Sequence, residues 1–239
     1  MDIKIAGLQK MTLLDYPGKL ACIVFLPGCN FRCPFCHNSD LLPGSAESQF
    51  TYDELITFLK KRQGMLEGVC VTGGEPTLQP QLEQLLQDIK AMGYSIKLDT
   101  NGSRPAVLKE LAAKGLVDYV AMDVKNSPER YGETTGTAQE WLPAITESLQ
   151  FLLEGTVDYE LRTTVVDELH DEESIGRMGQ WVANIVPGRK AKRFFLQPFA
   201  DRESVLMPGL HTPTKEKLAA FAALLAPFAE TVELRGTEG

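Results

Sequence analysis

The sequence has no apolar run of about 18 residues, the length a membrane-spanning helix requires. Residues 1–10 hold no apolar stretch long enough for a secretory signal. Positive charge is also short: 24 Lys and Arg stand against 32 Asp and Glu, for a formal net charge of -8. An acidic surface repels phosphate backbones, so neither a nucleic-acid partner nor a membrane is expected. There is no linker and no low-complexity tract. The 239 residues therefore read as one cytoplasmic domain, 1–239, with enough material for a sizeable core.

What is present is concentrated. Of five cysteines, three fall within eight positions, at Cys29, Cys33 and Cys36. In a reducing compartment such crowding points to metal binding rather than disulfides. Cys22 and Cys70 lie in the apolar runs 20–26 and 69–72 and are expected to be buried core thiols. The spacing C-x3-C-x2-C offers three soft thiolates, suited to an iron–sulfur cluster or to zinc. An electron-transfer [4Fe–4S] cluster takes four cysteines. Three leave one iron open, and an open site turns a redox centre into a catalyst. Zinc is the competing reading, because His37 follows Cys36 and would complete a Cys3His set. Zinc fingers, however, usually bring their second ligand pair from a distant segment.

Strand-like runs alternate with amphipathic ones along the chain. Strands are expected at 20–26, 69–72, 95–99, 119–124, 159–166 and 194–198, with a closing strand at 231–234. Helices are expected at 51–62, 78–92, 105–114, 141–154, 172–185 and 214–225. A polar stretch, 43–49, follows the cysteines. Six βα units imply a parallel α/β sheet with helices outside it. A full eight-unit barrel needs about 250 residues with tight loops. The long first connection here fits an incomplete (β/α)6 TIM-like barrel better. Its core is expected at about 20–199, with an N-terminal extension, 1–19, and a C-terminal helix and strand, 200–239. Cys29, Gly73, Asp99, Asp123, Arg162 and Gln197 fall at or near successive strand ends, where barrels build their active sites.

The cysteine loop, with Phe35 before the third cysteine, resembles the C-x3-C-x-aromatic-C signature of the radical S-adenosylmethionine (SAM) enzymes. Gly73-Gly74-Glu75-Pro76 resembles their second signature, and the likeness covers about residues 20–199. The resemblance implies a [4Fe–4S] cluster on Cys29, Cys33 and Cys36 whose open iron chelates SAM. Gly73 and Gly74 would let backbone approach the SAM head group, and Glu75 would face its ammonium.

Leu98-Asp99-Thr100-Asn101-Gly102 and Met122-Asp123-Val124-Lys125 are similar to segments of pyruvate formate-lyase activating enzyme and its relatives. That likeness implies a site for Na+ or K+ at Asp99, Thr100, Met122 and Asp123, with Lys125 and Arg162 on SAM. Segments 7–10, 14–19 and 28–38 resemble the anaerobic ribonucleoside-triphosphate reductase activating proteins. By residue type alone, Asp15-Tyr16-Pro17-Gly18 reads as a turn before the first strand. His37 either lies against the adenine or caps its loop. Several activating enzymes carry a His just after a proline–aromatic pair, where this chain has Ala200.

The function implied is an oxygen-sensitive oxidoreductase working anaerobically on a protein partner, a glycyl radical enzyme. A flavodoxin- or ferredoxin-type protein would be its electron donor. The competing enzyme reading is a radical SAM enzyme acting on a small molecule, of the 7-carboxy-7-deazaguanine synthase kind. A zinc-stabilised binding module is the reading from a different class.

Overall fold

The structure is a computed structural model that describes residues 3–42, 49–137 and 139–236. Most of the polar stretch 43–49 lies outside the described residues. Among the described residues there are eight strands: β1 (Gly7–Thr12), β2 (Ala21–Leu26), β3 (Gly68–Gly73), β4 (Ser95–Thr100), β5 (Tyr119–Asp123), β6 (Asp158–Val165), β7 (Ala191–Pro198) and β8 (Ala229–Leu234). Seven α-helices alternate with them: α1 (Tyr52–Arg62), α2 (Leu82–Ala91), α3 (Pro105–Ala113), the short α4 (Tyr131–Thr135), α5 (Leu142–Leu153), α6 (Glu172–Ile185) and α7 (Lys215–Leu225). Strand order in the sheet follows chain order, β1 to β8. Pairing is antiparallel between β1 and β2, and parallel for β2–β3–β4 and for β6–β7–β8. The six expected βα units are therefore present, from β2–α1 to β7–α7, with β8 as the last strand.

The chain divides into two compact units. The first comprises Met1–Asn30, Asp40–Thr100 and Ala106–Ala121. Its β2 reads Ala-Cys-Ile-Val-Phe-Leu, an unbroken apolar run, because a parallel strand with neighbours on both sides is covered on both faces. Register sets Cys22 beside Val69 and Val24 beside Val71. α1 opens on a capping box, in which the Thr51 hydroxyl accepts from the Glu54 N–H and the Glu54 carboxylate accepts from the Thr51 N–H. α2 buries Leu82, Leu85, Leu86 and Ile89 along one stripe. It starts four residues later than the periodicity predicts. Gln79 precedes Pro80 and is extended (φ −78°, ψ 119°), so the helical period at Leu78 belongs to a separate turn, Pro76–Leu78.

β1 was not expected. Half of its six residues are polar and half are exposed, as suits an edge strand. The turn after it does more than reverse the chain. Tyr16 is 3% exposed and packs with Ala21, Ile23, Cys70 and Tyr119. A side chain at Gly68 would meet the Tyr16 ring at 2.8 Å.

The second unit comprises Phe31–Ser39, Asn101–Pro105 and Met122–Gly239. β6 alternates, with Tyr159, Leu161, Thr163 and Val165 on one face and Glu160, Arg162 and Thr164 on the other. Glu160 is fully buried and is held by a two-pronged contact from Arg235 (3.0 and 3.1 Å), whose guanidinium lies 3.8 Å from the Phe195 ring centre. α6 is capped by Asp171, which accepts from the Ser174 N–H at 2.7 Å. No helix among the described residues is long and apolar enough to cross a membrane.

Candidate active site

In the first unit, Cys29 lies three residues past β2, half-buried and in no disulfide. The ends of β2 and β3 are laced together by backbone. The Gly74 N–H donates to the Leu26 carbonyl (2.9 Å) and the Glu75 N–H to the Gly28 carbonyl (2.7 Å). A Cβ on Gly73 would overlap the Leu26 backbone, and one on Gly74 the Gly28 carbonyl. The absent side chains thus let the chain approach its own cysteine loop. Gly74→Ala is expected to cost at least about 2–3 kcal/mol, because backbone cannot move aside as a flexible side chain does. Thermal or urea melting of the variant measures it.

Glu75 is fully buried. Its Oε1 accepts from the Thr77 N–H (3.0 Å), the Thr77 hydroxyl (2.5 Å) and the Thr100 hydroxyl (2.9 Å). This carboxylate braces the turn after β3. In the next strand, Asp99 shares a face of β4 with Lys97, which is 1% exposed, and Lys97 Nζ lies 2.5 Å from Asp99 Oδ1. Cys22 and Cys70 are buried thiols, and burial pushes the Cys22 pKa up to about 12 and raises that of Cys70 too. Both are core, as expected.

In the second unit, Cys33 is 8% exposed, Cys36 is half-buried, and the Cys36 N–H donates to the Cys33 carbonyl at 3.0 Å. Phe35 is buried beneath Lys125, whose Nζ lies 5.9 Å from the ring centre. Asp123, the last residue of β5, is held by two cations. Lys125 Nζ meets Oδ2 at 2.7 Å and Arg162 Nε meets Oδ1 at 3.0 Å. Burial works against the Lys125 ammonium, but the charges of Asp123 and Cys33 outweigh it and raise its pKa. Arg162 sits mid-strand in β6 rather than at its end. Met122 points away from Asp123, as adjacent strand residues must, and fills the space where a Gly102 side chain would be.

The turn after Asp123 is fixed by His170, 1% exposed, which bonds through Nε2 to the Lys125 carbonyl (2.9 Å) and through Nδ1 to the Val166 N–H (3.0 Å). Burial lowers the His170 pKa from 6.5 against the pull of the Lys125 and Val166 carbonyls, with Arg130 and Lys217 adding to the lowering. The unfolded chain takes up a proton below about pH 6.5 that the folded chain refuses. Stability is then complete above that pH and falls as pH drops toward the folded pKa, by up to about 1.4 kcal/mol per pH unit. Denaturant midpoints between about pH 7.5 and about pH 5 are expected to fall less steeply for His170→Asn, by one proton.

His37 meets Ala200 directly. Its Nε2 lies 2.7 Å from the Ala200 carbonyl and its ring stacks on Phe199 (5.5 Å, 20°). The loop after β7 grips the cysteine loop further. The Ser204 hydroxyl donates to the His37 carbonyl (2.7 Å), the Ser39 hydroxyl to the Ser204 carbonyl, and the Met207 N–H to the Pro34 carbonyl (3.0 Å). An imidazole from the cysteine loop thus stands against the backbone at Ala200.

Among the described residues, no three His, Cys, Asp or Glu side chains converge as they would around one metal ion. A four-iron cluster takes one thiolate per iron, so its ligands stand at separate corners. Three cysteines outside any disulfide, two of them reaching the surface, are a donor set that fits such a cluster.

A family model described as the radical SAM superfamily matches residues 23–173, more than half of the chain. A Methanocaldococcus jannaschii protein, provisionally named a glycyl-radical enzyme activating enzyme, is 28% identical over 100% of this chain and 98% of its own. Pyruvate formate-lyase-activating enzyme of Clostridium pasteurianum is 27% identical over 82% of each chain. The 7-carboxy-7-deazaguanine synthase of Thermococcus kodakarensis is 24% identical over 72% of each. Among solved structures, Streptococcus suis SuiB bound to S-adenosylmethionine shares the fold at a TM-score of 0.67 and 13% identity. That match covers 90% of this chain and 52% of SuiB, so the chain spans about half of SuiB's length. The three-cysteine loop and the parallel α/β sheet agree with these likenesses: the chain belongs to the radical SAM superfamily.

Proposed function

We propose that this radical SAM enzyme is an activase, which removes a hydrogen atom from a backbone glycine of a partner glycyl radical enzyme. One observation carries the proposal: the chain matches a relative named for that role from end to end, with 98% of the relative covered. Anaerobic ribonucleotide reductase is the favoured partner, on the likeness of segments 7–10, 14–19 and 28–38.

Membership of the superfamily implies a [4Fe–4S] cluster and SAM. When bound, the cluster supplies the single electron that splits a carbon–sulfur bond of SAM and so generates the hydrogen-abstracting group. Cys29, Cys33 and Cys36 would hold the cluster in this reading, with Phe35 buried beside Cys36 in the same loop. Gly73, Gly74 and Glu75 shape the loop stem that carries Cys29. Lys125 and Arg162, fixed by Asp123, offer positive charge to the SAM carboxylate. His37, stacked on Phe199, presents a flat ring edge suited to the adenine.

Mixing the reduced, reconstituted protein with SAM and anaerobic ribonucleotide reductase under anoxia tests this. A glycyl-radical doublet in the EPR spectrum is expected. Activation on a small molecule is the second reading, favoured by the likeness to 7-carboxy-7-deazaguanine synthase. It predicts SAM turnover with no doublet on any glycyl radical enzyme.

A further inference from the structure

We infer that Lys97 is a built-in counter-cation for Asp99, and that the enzyme binds SAM with no requirement for Na+ or K+. The likeness noted for Asp99, Thr100, Met122 and Asp123 would place a monovalent cation on those four residues. Their side chains do not fit one. Asp99 and Thr100 are neighbours in β4, and Met122 and Asp123 are neighbours in β5, so each pair points to opposite faces. The Thr100 hydroxyl donates to Glu75 within the first unit, and Met122 packs on Gly102 within the second.

The two carboxylates that remain already have protein cations, each in its own unit. In the first, Lys97 and Asp99 share a face of β4, and the ammonium lies 2.5 Å from Oδ1 with only 1% of its side chain exposed. A lysine buried to that degree persists only when paired. Across the sheet its register partner is Cys70, whose thiol burial keeps protonated, so the positive charge is directed to Asp99. In the second unit, Lys125 and Arg162 occupy one oxygen each of Asp123. The task of a bound alkali ion, cancelling carboxylate charge so that a substrate carboxylate can approach, is met by ammonium and guanidinium groups. Lys97 acts here as a positioning residue, through Asp99.

The inference rests on SAM as the ligand and not on the activase reading. Its test is read without any partner protein, so the two fail separately. Calorimetric titration of SAM into the reconstituted holoenzyme is run in sodium, potassium and tetramethylammonium buffers of equal ionic strength. The Kd is expected to agree across the three within about twofold, and a loss of roughly tenfold or more in tetramethylammonium overturns the inference. Lys97→Met keeps most of the volume and removes the charge. Its Kd is expected to weaken by about tenfold or more in all three buffers, and Lys97→Arg, which restores the charge, is expected to recover it, a rescue that a purely structural lysine would not show. A Lys97→Met holoenzyme that binds SAM as tightly as wild type overturns the inference. If that variant does not fold, the wild-type comparison decides alone.

Discussion

Cys33→Ala is expected to lose its iron and to cleave SAM at least about a thousandfold more slowly than wild type. Cys33 is the buried member of the trio, 8% exposed, and its charge helps to raise the Lys125 pKa. With two thiolates left, a cubane would have two irons without protein ligands and would not survive isolation. Cys70→Ala is the control. Its thiol is 1% exposed and burial holds it protonated, so iron content should be unchanged while stability falls by a few kcal/mol at most. Iron, acid-labile sulfide and 5′-deoxyadenosine are measured for both variants. Wild-type iron and turnover in Cys33→Ala would contradict the cluster assignment.

Asp123→Ala should be the most damaging change outside the cysteines. Lys125 and Arg162 are 13% and 14% exposed, and both are directed at this one carboxylate. Its removal leaves two like charges facing each other with little water to separate them. Breaking a largely buried ion pair costs about 3–5 kcal/mol. Partial exposure of Asp123 itself, 27%, favours the lower end of that range. The Lys125 pKa should fall as well, since Asp123 is the largest influence raising it. Urea denaturation gives the stability loss. Asp123→Asn, with its shape kept and its charge removed, should fall between wild type and alanine.

Much of this was legible from residue order. The period of Leu82, Leu85, Leu86 and Ile89 marks α2, and the apolar runs mark β2 and β3, because burial on one or both faces dictates those patterns. The cysteine spacing and Gly73-Gly74-Glu75 stand out because few other uses would crowd those residue types together. What escaped was tertiary. β1 is a half-polar edge strand, so its sequence carries little hydrophobic alternation. Lys97 looks like an ordinary strand lysine until its spacing of two from Asp99 is seen to place both on one covered face. That i, i+2 signal was available in the sequence. The bracing contacts of Glu75 leave no local mark, since one of its donors is Thr100, a strand away. His170 and Ser204 lie 45 and 167 residues from the Lys125 and His37 carbonyls they hold, and no local pattern announces such contacts.

The most direct test of the activase is the fate of one hydrogen. The partner enzyme is produced with glycine deuterated at Cα and incubated under anoxia with the reduced protein and SAM. Mass spectrometry of the 5′-deoxyadenosine is expected to show one deuterium gained per radical formed. Deoxyadenosine that remains free of deuterium while the partner is present and intact would contradict hydrogen transfer from a protein glycine.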